Sequence, residues 1–384
     1  MSVYIFDAVR TPRGKAKPDG GLANHQPEDL IAKLVDGLHR RGRDARAVDA
    51  LLLGCVGQIG AQGGHIALVS KLRSGIDERA AALTLNNYCV SGLTAVGQGA
   101  LAVGAGHAQR VVAGGVEMMS RVPFMGDDAA YYRDDTFSKR QRYIPVVVAA
   151  DRLAEKIGIT RDALDAVAFE SQRKSASAER DPGAMASRLA IDELNRDECL
   201  RAGTTREGLA ALEPAFAAVA AQYSAALERA IDHRHTIAHA PPVCDGAALV
   251  LLGKENAWNV APRARIVAHA ESGGDVEDSL LAGFAAMELA LARAGKTLAE
   301  MDRIEFMESF AVTIAKFLRD YPVDAATVNV GGGHIARGHP MGASGAILLS
   351  TLLDALDVAQ CRFGLVVCTG AAGVGSAMVV ERLR

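Results

Sequence analysis

The feature that most constrains this chain is an internal duplication. Cys89-x-x-Gly92 opens an Ala/Leu/Val-rich stretch of helical period and is followed by RVVAGG near residue 112. His339-x-x-Gly342 opens a second apolar helix and is followed by GLVVCTG near residue 367. Repeats on this scale indicate two similar supersecondary units packed together. If the halves face each other, residues about 250 positions apart meet at the junction, where α/β sheets place ligands.

The chemistry sits at that junction. Cys89, Gly338-His339-Pro340 and Cys368 each lie where an apolar, strand-like run breaks into a glycine-rich turn. A turn after AALTLNNYC would put Cys89 at a helix N-terminus, where free N–H groups and the dipole favour the thiolate over a thiol of ordinary pKa about 8.5. A thiolate is the form in which cysteine attacks carbonyl carbon at neutral pH. The alternative reading of Cys89 is a small buried hydrophobe. Pro340 disfavours helical geometry at His339 and suits an exposed turn before a new helix. Small residues after Cys368 let a ligand approach the backbone closely. Together the three positions offer a nucleophile, its base and a second acid/base.

In order and spacing, VYIFDAVRTPRGK, NNYCVSGLTAV, GGVEMMSRVP, NVGGGHIARGHPMGASGA and CTGAAGVG resemble the motifs of the thiolase family across nearly the whole chain. The resemblance is to acetyl-CoA C-acyltransferases and 3-ketoacyl-CoA thiolases. It implies an α/β thiolase fold, with two duplicated βαβ-type halves in a layered αβαβα core and an inserted loop domain. The expected division is 1–118, an insertion over 119–246 that covers the site and holds coenzyme A, and 247–384. Strand-like runs (SVYIFDAV, AVDALLLGCV, RVVAGGV, ARIVAHA, DRIEFMESF, GLVVCTG, SAMVVERL) alternating with Ala/Leu-rich helical stretches agree with that class. A chain of 384 residues with 49% hydrophobic content buries a core of the required size.

The implied reaction is acyl transfer between coenzyme A thioesters through an acyl-Cys89 intermediate. It runs as thiolysis of a 3-ketoacyl-CoA or as Claisen condensation with acetyl-CoA, the β-ketothiolase chemistry of fatty acid metabolism. His339 takes the Cys89 proton, and Cys368 exchanges a proton with the α carbon of the second substrate. The backbone N–H groups of Cys89 and Gly370 stabilise the tetrahedral oxyanion. Ketoacyl synthases, similar in fold, make their carbanion by decarboxylation and need no second cysteine, so Cys368 separates the two families.

One departure bears on this chemistry. Thiolases carry Asn-Glu-x-Phe, or His for the Asn, where this chain has Met307-Glu308-Ser309-Phe310. The asparagine holds a water that completes an oxyanion hole for the enolate, whereas methionine offers no donor. Losing one such donor costs on the order of a hundredfold in rate, about 3 kcal/mol. Three outcomes are open: His339 and a differently held water suffice, His334 compensates, or the enolate step is impaired. HAPPVCDGA and ESGGDVEDSLLAGFAAMELAL also depart from the family near the acyl path, so substrate preference is left open. The second function carried forward is an acyl-CoA-binding protein or complex subunit without carbon–carbon chemistry.

A net charge of −3 suggests neither nucleic acid nor an anionic membrane as partner. Coenzyme A phosphates need local cations, and Lys139, Arg140, Arg142 and Arg152 in the insertion are candidates, the alternative being a solvated face. Coenzyme A is expected as substrate and product, with no permanently bound cofactor. Six cysteines without Cys-x-x-Cys spacing, and a strand at the start, suggest a reduced cytoplasmic protein. Cys55, Cys199, Cys244 and Cys361 read as ordinary residues. No apolar run reads as long and charge-free enough to span a membrane. His233, His235 and His239 have spacing compatible with zinc, but no cysteine completes a tetrahedral set and the stretch reads as a connection, so no metal is expected. Family relatives imply a homodimer or homotetramer.

Overall fold

The computed structural model describes residues 2–227 and 229–383. The strands are β1 (Val3–Arg10), β2 (Gly14–Lys15), β3 (Ala50–Gly54), β4 (Ala81–Leu85), β5 (Arg110–Met118), β6 (Cys244–Gly253), β7 (Ala264–Gly273), β8 (Arg303–Phe306), β9 (Phe363–Thr369) and β10 (Val374–Arg382). The helices of the first half are α1 (Pro27–Arg40), α2 (Ile66–Ser74) and α3 (Ser91–Gly104). The segment between β5 and β6 holds α4 (Val146–Lys156), α5 (Arg161–Ala178), α6 (Arg206–Ala210) and α7 (Ala217–Gln222). The second half holds α8 (Ala282–Ala294), α9 (Ala311–Asp320), α10 (His334–Arg337) and α11 (Ser344–Ala359).

The strands run in the order β4-β3-β5-β6-β1-β7-β10-β9-β8, with β2 beside β6. The duplication is visible in their directions. β3 and β5 are parallel, and β5–β6 and β6–β1 antiparallel. In the same way β8 and β9 are parallel, and β9–β10 and β10–β7 antiparallel. The halves join where Val3–Ile5 of β1 pair with Ala264–Ile266 of β7.

Three apolar cores give the layers. One lies between α1/α2 and the first half-sheet, with Leu30, Leu34 and Leu38 of α1 against Leu51 and Leu249. A middle core packs α3 against α11 and takes residues from both half-sheets, among them Leu93, Ile347, Val111 and Val366. The third lies outside the second half-sheet, under α8 and α9. The expected αβαβα order is therefore present.

β6 is absent from the strand runs read in the sequence, and it straddles the expected division at 246. Its sequence, CDGAALVLLG, is rich in Ala and Leu, and burial of all ten residues inside the sheet overrides that helical composition. The expectation about apolar runs also needs correction. Met341–Ala359 is long and apolar enough to cross a membrane by length and composition, and 83% of its apolar window is buried between the two half-sheets. A helix that is apolar on all sides is what the middle of five layers requires.

Candidate active site

The two glycines of the duplicated motif meet at the junction. A Cβ on Gly92 would lie 2.8 Å from the carbonyl oxygen of Gly342, and one on Gly342 would lie 2.7 Å from Cys55 Cα. Only residues without side chains let α3 and the turn before α11 approach so closely. Glu117, at the end of β5, pins this contact. Its carboxylate accepts from the N–H groups of Val56 (2.9 Å), Gly57 (3.0 Å) and Gly342 (2.9 Å) and from Gln62 Nε2 (2.7 Å). Burial raises its pKa against those hydrogen bonds.

Cys89 sits in the turn between β4 and α3. Tyr88 before it has φ 46°, a left-handed conformation that costs a non-glycine residue about 1 kcal/mol or more and aims the cysteine inward. Ser91 Oγ locks the turn by accepting from Asn87 N–H (2.7 Å) and donating to the Tyr88 carbonyl (2.6 Å). The expectation of a depressed thiol pKa is overturned. Burial pushes Cys89 up to about 11, with Glu117 adding to the rise, and the N–H groups of Ala371 and of Cys89 itself oppose it. At this depth the loss of hydration outweighs the helix terminus.

His339 is held from both sides. Its N–H donates to the Pro242 carbonyl (2.9 Å), and its Nδ1 lies 2.7 Å from Ser344 Oγ, which leaves Nε2 without a protein partner. Burial, with Arg13 nearby, lowers its pKa to about 3. The resting pair is thus a neutral thiol and a neutral imidazole.

Cys368 lies at the end of β9, fully buried and opposite Ser376 of β10. Burial raises its pKa well above the ordinary thiol range, and the nearby Cys89 adds to the rise. Gly370 is next to the nucleophile, since a Cβ there would stand 3.3 Å from Cys89 Cβ. Its N–H, however, donates to the Val374 carbonyl at 3.0 Å. In the resting site the backbone amide of Ala371 favours the Cys89 thiolate against the effect of burial.

Cys89 and His339 open on one cavity of about 100 Å3, whose walls include Phe124, Val146, Leu280, Phe310 and Met341. No Asp, Glu, Lys or Arg lines it among the described residues. Met307 is fully buried in the middle core. His334 lies behind His339 with ring centroids 5.0 Å apart and edge to face. Its burial lowers its pKa far below the ordinary histidine value.

The candidate cations for coenzyme A lie elsewhere in the insertion. Arg140 pairs with Asp275 (2.5 Å) and Arg152 with Glu277. Arg142 donates to the carbonyls of Phe137 (3.0 Å), Ala225 (3.2 Å) and Asp135. Lys139 lies in the one-turn helix before Arg142. None of the four lines the Cys89 cavity. The three insertion histidines are structural. His233 and His235 both bind the buried carboxylate of Asp151 (2.8 and 2.7 Å), and His239 binds Asp165 (2.6 Å). Among the described residues no group of His, Cys, Asp and Glu could hold a metal.

Residues the sequence reading did not single out complete the site. Ser344 orients the base. Glu308 ties down α10, accepting from Ile335 N–H (2.9 Å), Ser171 Oγ (2.6 Å) and Asn329 Nδ2 (3.2 Å). Ser344, five positions after His339, and Glu308, beside Met307, stand within motifs already noted, but spacing alone does not show which way their side chains turn.

The chain is similar to known proteins over nearly its full length. The thiolase N-terminal domain model matches residues 3–256 and the thiolase C-terminal domain model residues 260–382. An acetyl-CoA acetyltransferase of Escherichia coli is 34% identical, covering 99% of this chain and 98% of its own. A 3-oxoadipyl-CoA/3-oxo-5,6-dehydrosuberyl-CoA thiolase of the same organism is also 34% identical, covering 99% of each. The crystal structure of the Bacillus anthracis acetyl-CoA acetyltransferase superposes with a TM-score of 0.86 at 27% identity, over 100% of this chain and 99% of that one.

Proposed function

Because the chain belongs to the thiolase family, an enzyme of acyl transfer between coenzyme A thioesters, we propose that Cys89, His339 and Cys368 carry that transfer on an apolar acyl group. The observation that carries the proposal is the single cavity shared by Cys89 and His339, with apolar walls and no fixed charge. A carboxylate-ended acyl chain finds no cation there, so acyl groups ending in hydrocarbon are favoured over dicarboxylic ones.

The high thiol pKa and low imidazole pKa set the order of events. A preformed thiolate–imidazolium pair would place two charges in a dry site, so the proton moves from Cys89 to His339 Nε2 as sulfur attacks the thioester carbon. The oxyanion that develops takes hydrogen bonds from the amides of Cys89 and Ala371, or from Gly370 once its bond to Val374 opens. Cys368, a thiol at rest, gives its proton to the departing α carbon in thiolysis and regains one from the incoming coenzyme A thiol. In condensation the departing coenzyme A thiolate takes the Cys368 proton first, and the Cys368 thiolate then removes one from the α carbon. Coenzyme A is substrate and product. Arg140 and Arg152 meet its phosphates by exchanging Asp275 and Glu277 for them, with Lys139 and Arg142 nearby on the same segment.

The edge strand β4 and its half-exposed Leu83 supply a surface for a homodimer or homotetramer. The six unbonded cysteines fit a reducing, cytoplasmic setting.

Peptide mass spectrometry after incubation with short, medium, branched and dicarboxylic acyl-CoA thioesters tests the reading. An adduct on Cys89 from the apolar thioesters is expected. No adduct from any thioester, despite coenzyme A binding, favours the second reading, an acyl-CoA-binding protein without carbon–carbon chemistry. Met307 is the observation behind that alternative.

A further inference from the structure

We propose that Cys199 and Cys244 are a disulfide-forming pair, a site of reversible oxidation set against the backbone of the loop that carries His339. The two thiols come from distant elements, Cys244 from the first position of β6 and Cys199 from the insertion between α5 and α6. Each thiol is close enough to shift the protonation of the other. A Cβ placed on Gly338 would lie 2.7 Å from Cys244 Sγ and 3.3 Å from Cys199 Sγ, so both sulfurs face the same side of that glycine. Gly338 has φ 100°, a conformation other residues rarely adopt, and it immediately precedes His339.

The pair is asymmetric in the way disulfide exchange needs. The neighbouring Cys244 and the Arg13 guanidinium lower the Cys199 pKa from its ordinary value, against burial and the carboxylates of Asp197 and Glu198. Burial and the neighbouring Cys199 push Cys244 well up. Cys199 also retains 8% exposure, whereas Cys244 has none. The thiol with the lowered pKa and the better access is the first to react.

With hydrogen peroxide as oxidant the step balances. The Cys199 thiolate attacks one peroxide oxygen, the O–O bond breaks, and hydroxide leaves a sulfenic acid. Cys244 sulfur then attacks Cys199 sulfur, the S–O bond breaks, and water departs with the Cys244 proton. Two thiols lose two electrons and the peroxide is reduced to two waters.

The bond would act on the base. Val243, next to Cys244, bridges to His339, and His339 donates its N–H to Pro242. Drawing Cys244 towards Cys199 therefore pulls on the strand that holds His339 while Gly338 is wedged beside the new bond. A displacement on the scale of about 1 Å at a catalytic group costs up to about a hundredfold in rate.

The test treats the full chain and a Cys89→Ala variant with hydrogen peroxide, blocks free thiols under denaturing conditions, and maps peptides by mass. A cross-link joining the Cys199 and Cys244 peptides, two hydrogens lighter and removed by dithiothreitol, is expected in both. Thiolysis by the full chain should fall at least fivefold and recover with dithiothreitol, while Cys199→Ala should keep its activity at that dose. This activity arm rests on the acyl-transfer reading, and the mapping arm is independent of it. Absence of the cross-link, or oxidation confined to Cys89 and Cys368, overturns the proposal, as does equal inactivation of Cys199→Ala. Should Cys199→Ala not fold, the mapping decides alone.

Discussion

Ser344 Oγ lies 2.7 Å from His339 Nδ1, so the first residue of α11 orients the base five positions before it. The hydroxyl fixes the ring and leaves Nε2 without a protein partner, the role a buried partner plays for many functional histidines. Ser344→Ala leaves Nδ1 buried and unpaired. It should lower kcat about tenfold or more with little change in KM, measured by steady-state thiolysis.

Cys368→Ala separates the two halves of the reaction. Acylation of Cys89 by a simple acyl-CoA should proceed near the parent rate, because nucleophile and base are intact and no carbon–carbon bond breaks. Thiolysis and condensation should fall by about two to four orders of magnitude with the loss of the second acid/base. Mass spectrometry of the acyl-enzyme and a turnover assay on the same sample read both.

Met307→Asn introduces the donor that relatives carry. If enolate stabilisation limits this chain, the substitution raises condensation by about tenfold to a hundredfold. Unchanged or lower turnover would show that the buried methionine is required for packing in the middle core, where it contacts no solvent.

Acid should destabilise the fold through two buried histidines. His339 and His239 have folded-state pKa values lowered to about 3 and about 4 from 6.5, chiefly by burial. The unfolded chain therefore binds their protons more tightly. Their contribution is fully present above pH 6.5 and is lost as pH falls towards 4 and 3, at about 1.4 kcal/mol per unit for each. Urea midpoints between pH 7 and pH 5 check the slope.

Glu305 works in the opposite direction. Burial, with Glu308 beside it, raises its pKa to about 8, so the folded state holds this proton more tightly than the unfolded chain does. Its contribution is complete below pH 4.5 and is lost as pH rises through 8. Glu305→Gln imitates the protonated form. The variant should match the parent at pH 5 and exceed its melting temperature at pH 9.

The sequence exposed the turns that carry the site because glycine, proline and a change of apolar period mark them directly. Cys89, His339 and Cys368 each occupy such a turn, and the structure places Cys89 close to both partners. Protonation states were not legible, since the Cys89 pKa follows from burial by residues far along the chain. The turn hydrogen bond from the Gly370 amide to Val374 is likewise marked by no local pattern. β6 escaped detection because its Ala/Leu composition becomes strand only through pairing with β1 and β5. The insertion histidines had ligand-like spacing, and only the positions of Asp151 and Asp165 on α4 and α5 show that carboxylates already hold them.

The contact between Gly92 and Gly342 has a kinetic consequence. Neither half contains a complete reaction centre, and the contact that unites them closes a loop of about 250 residues. Long-range closures of this kind come late in folding. Either half-sheet can therefore acquire its secondary structure before any acyl-transfer capacity exists, and activity returns during refolding only when α3 has docked on α11.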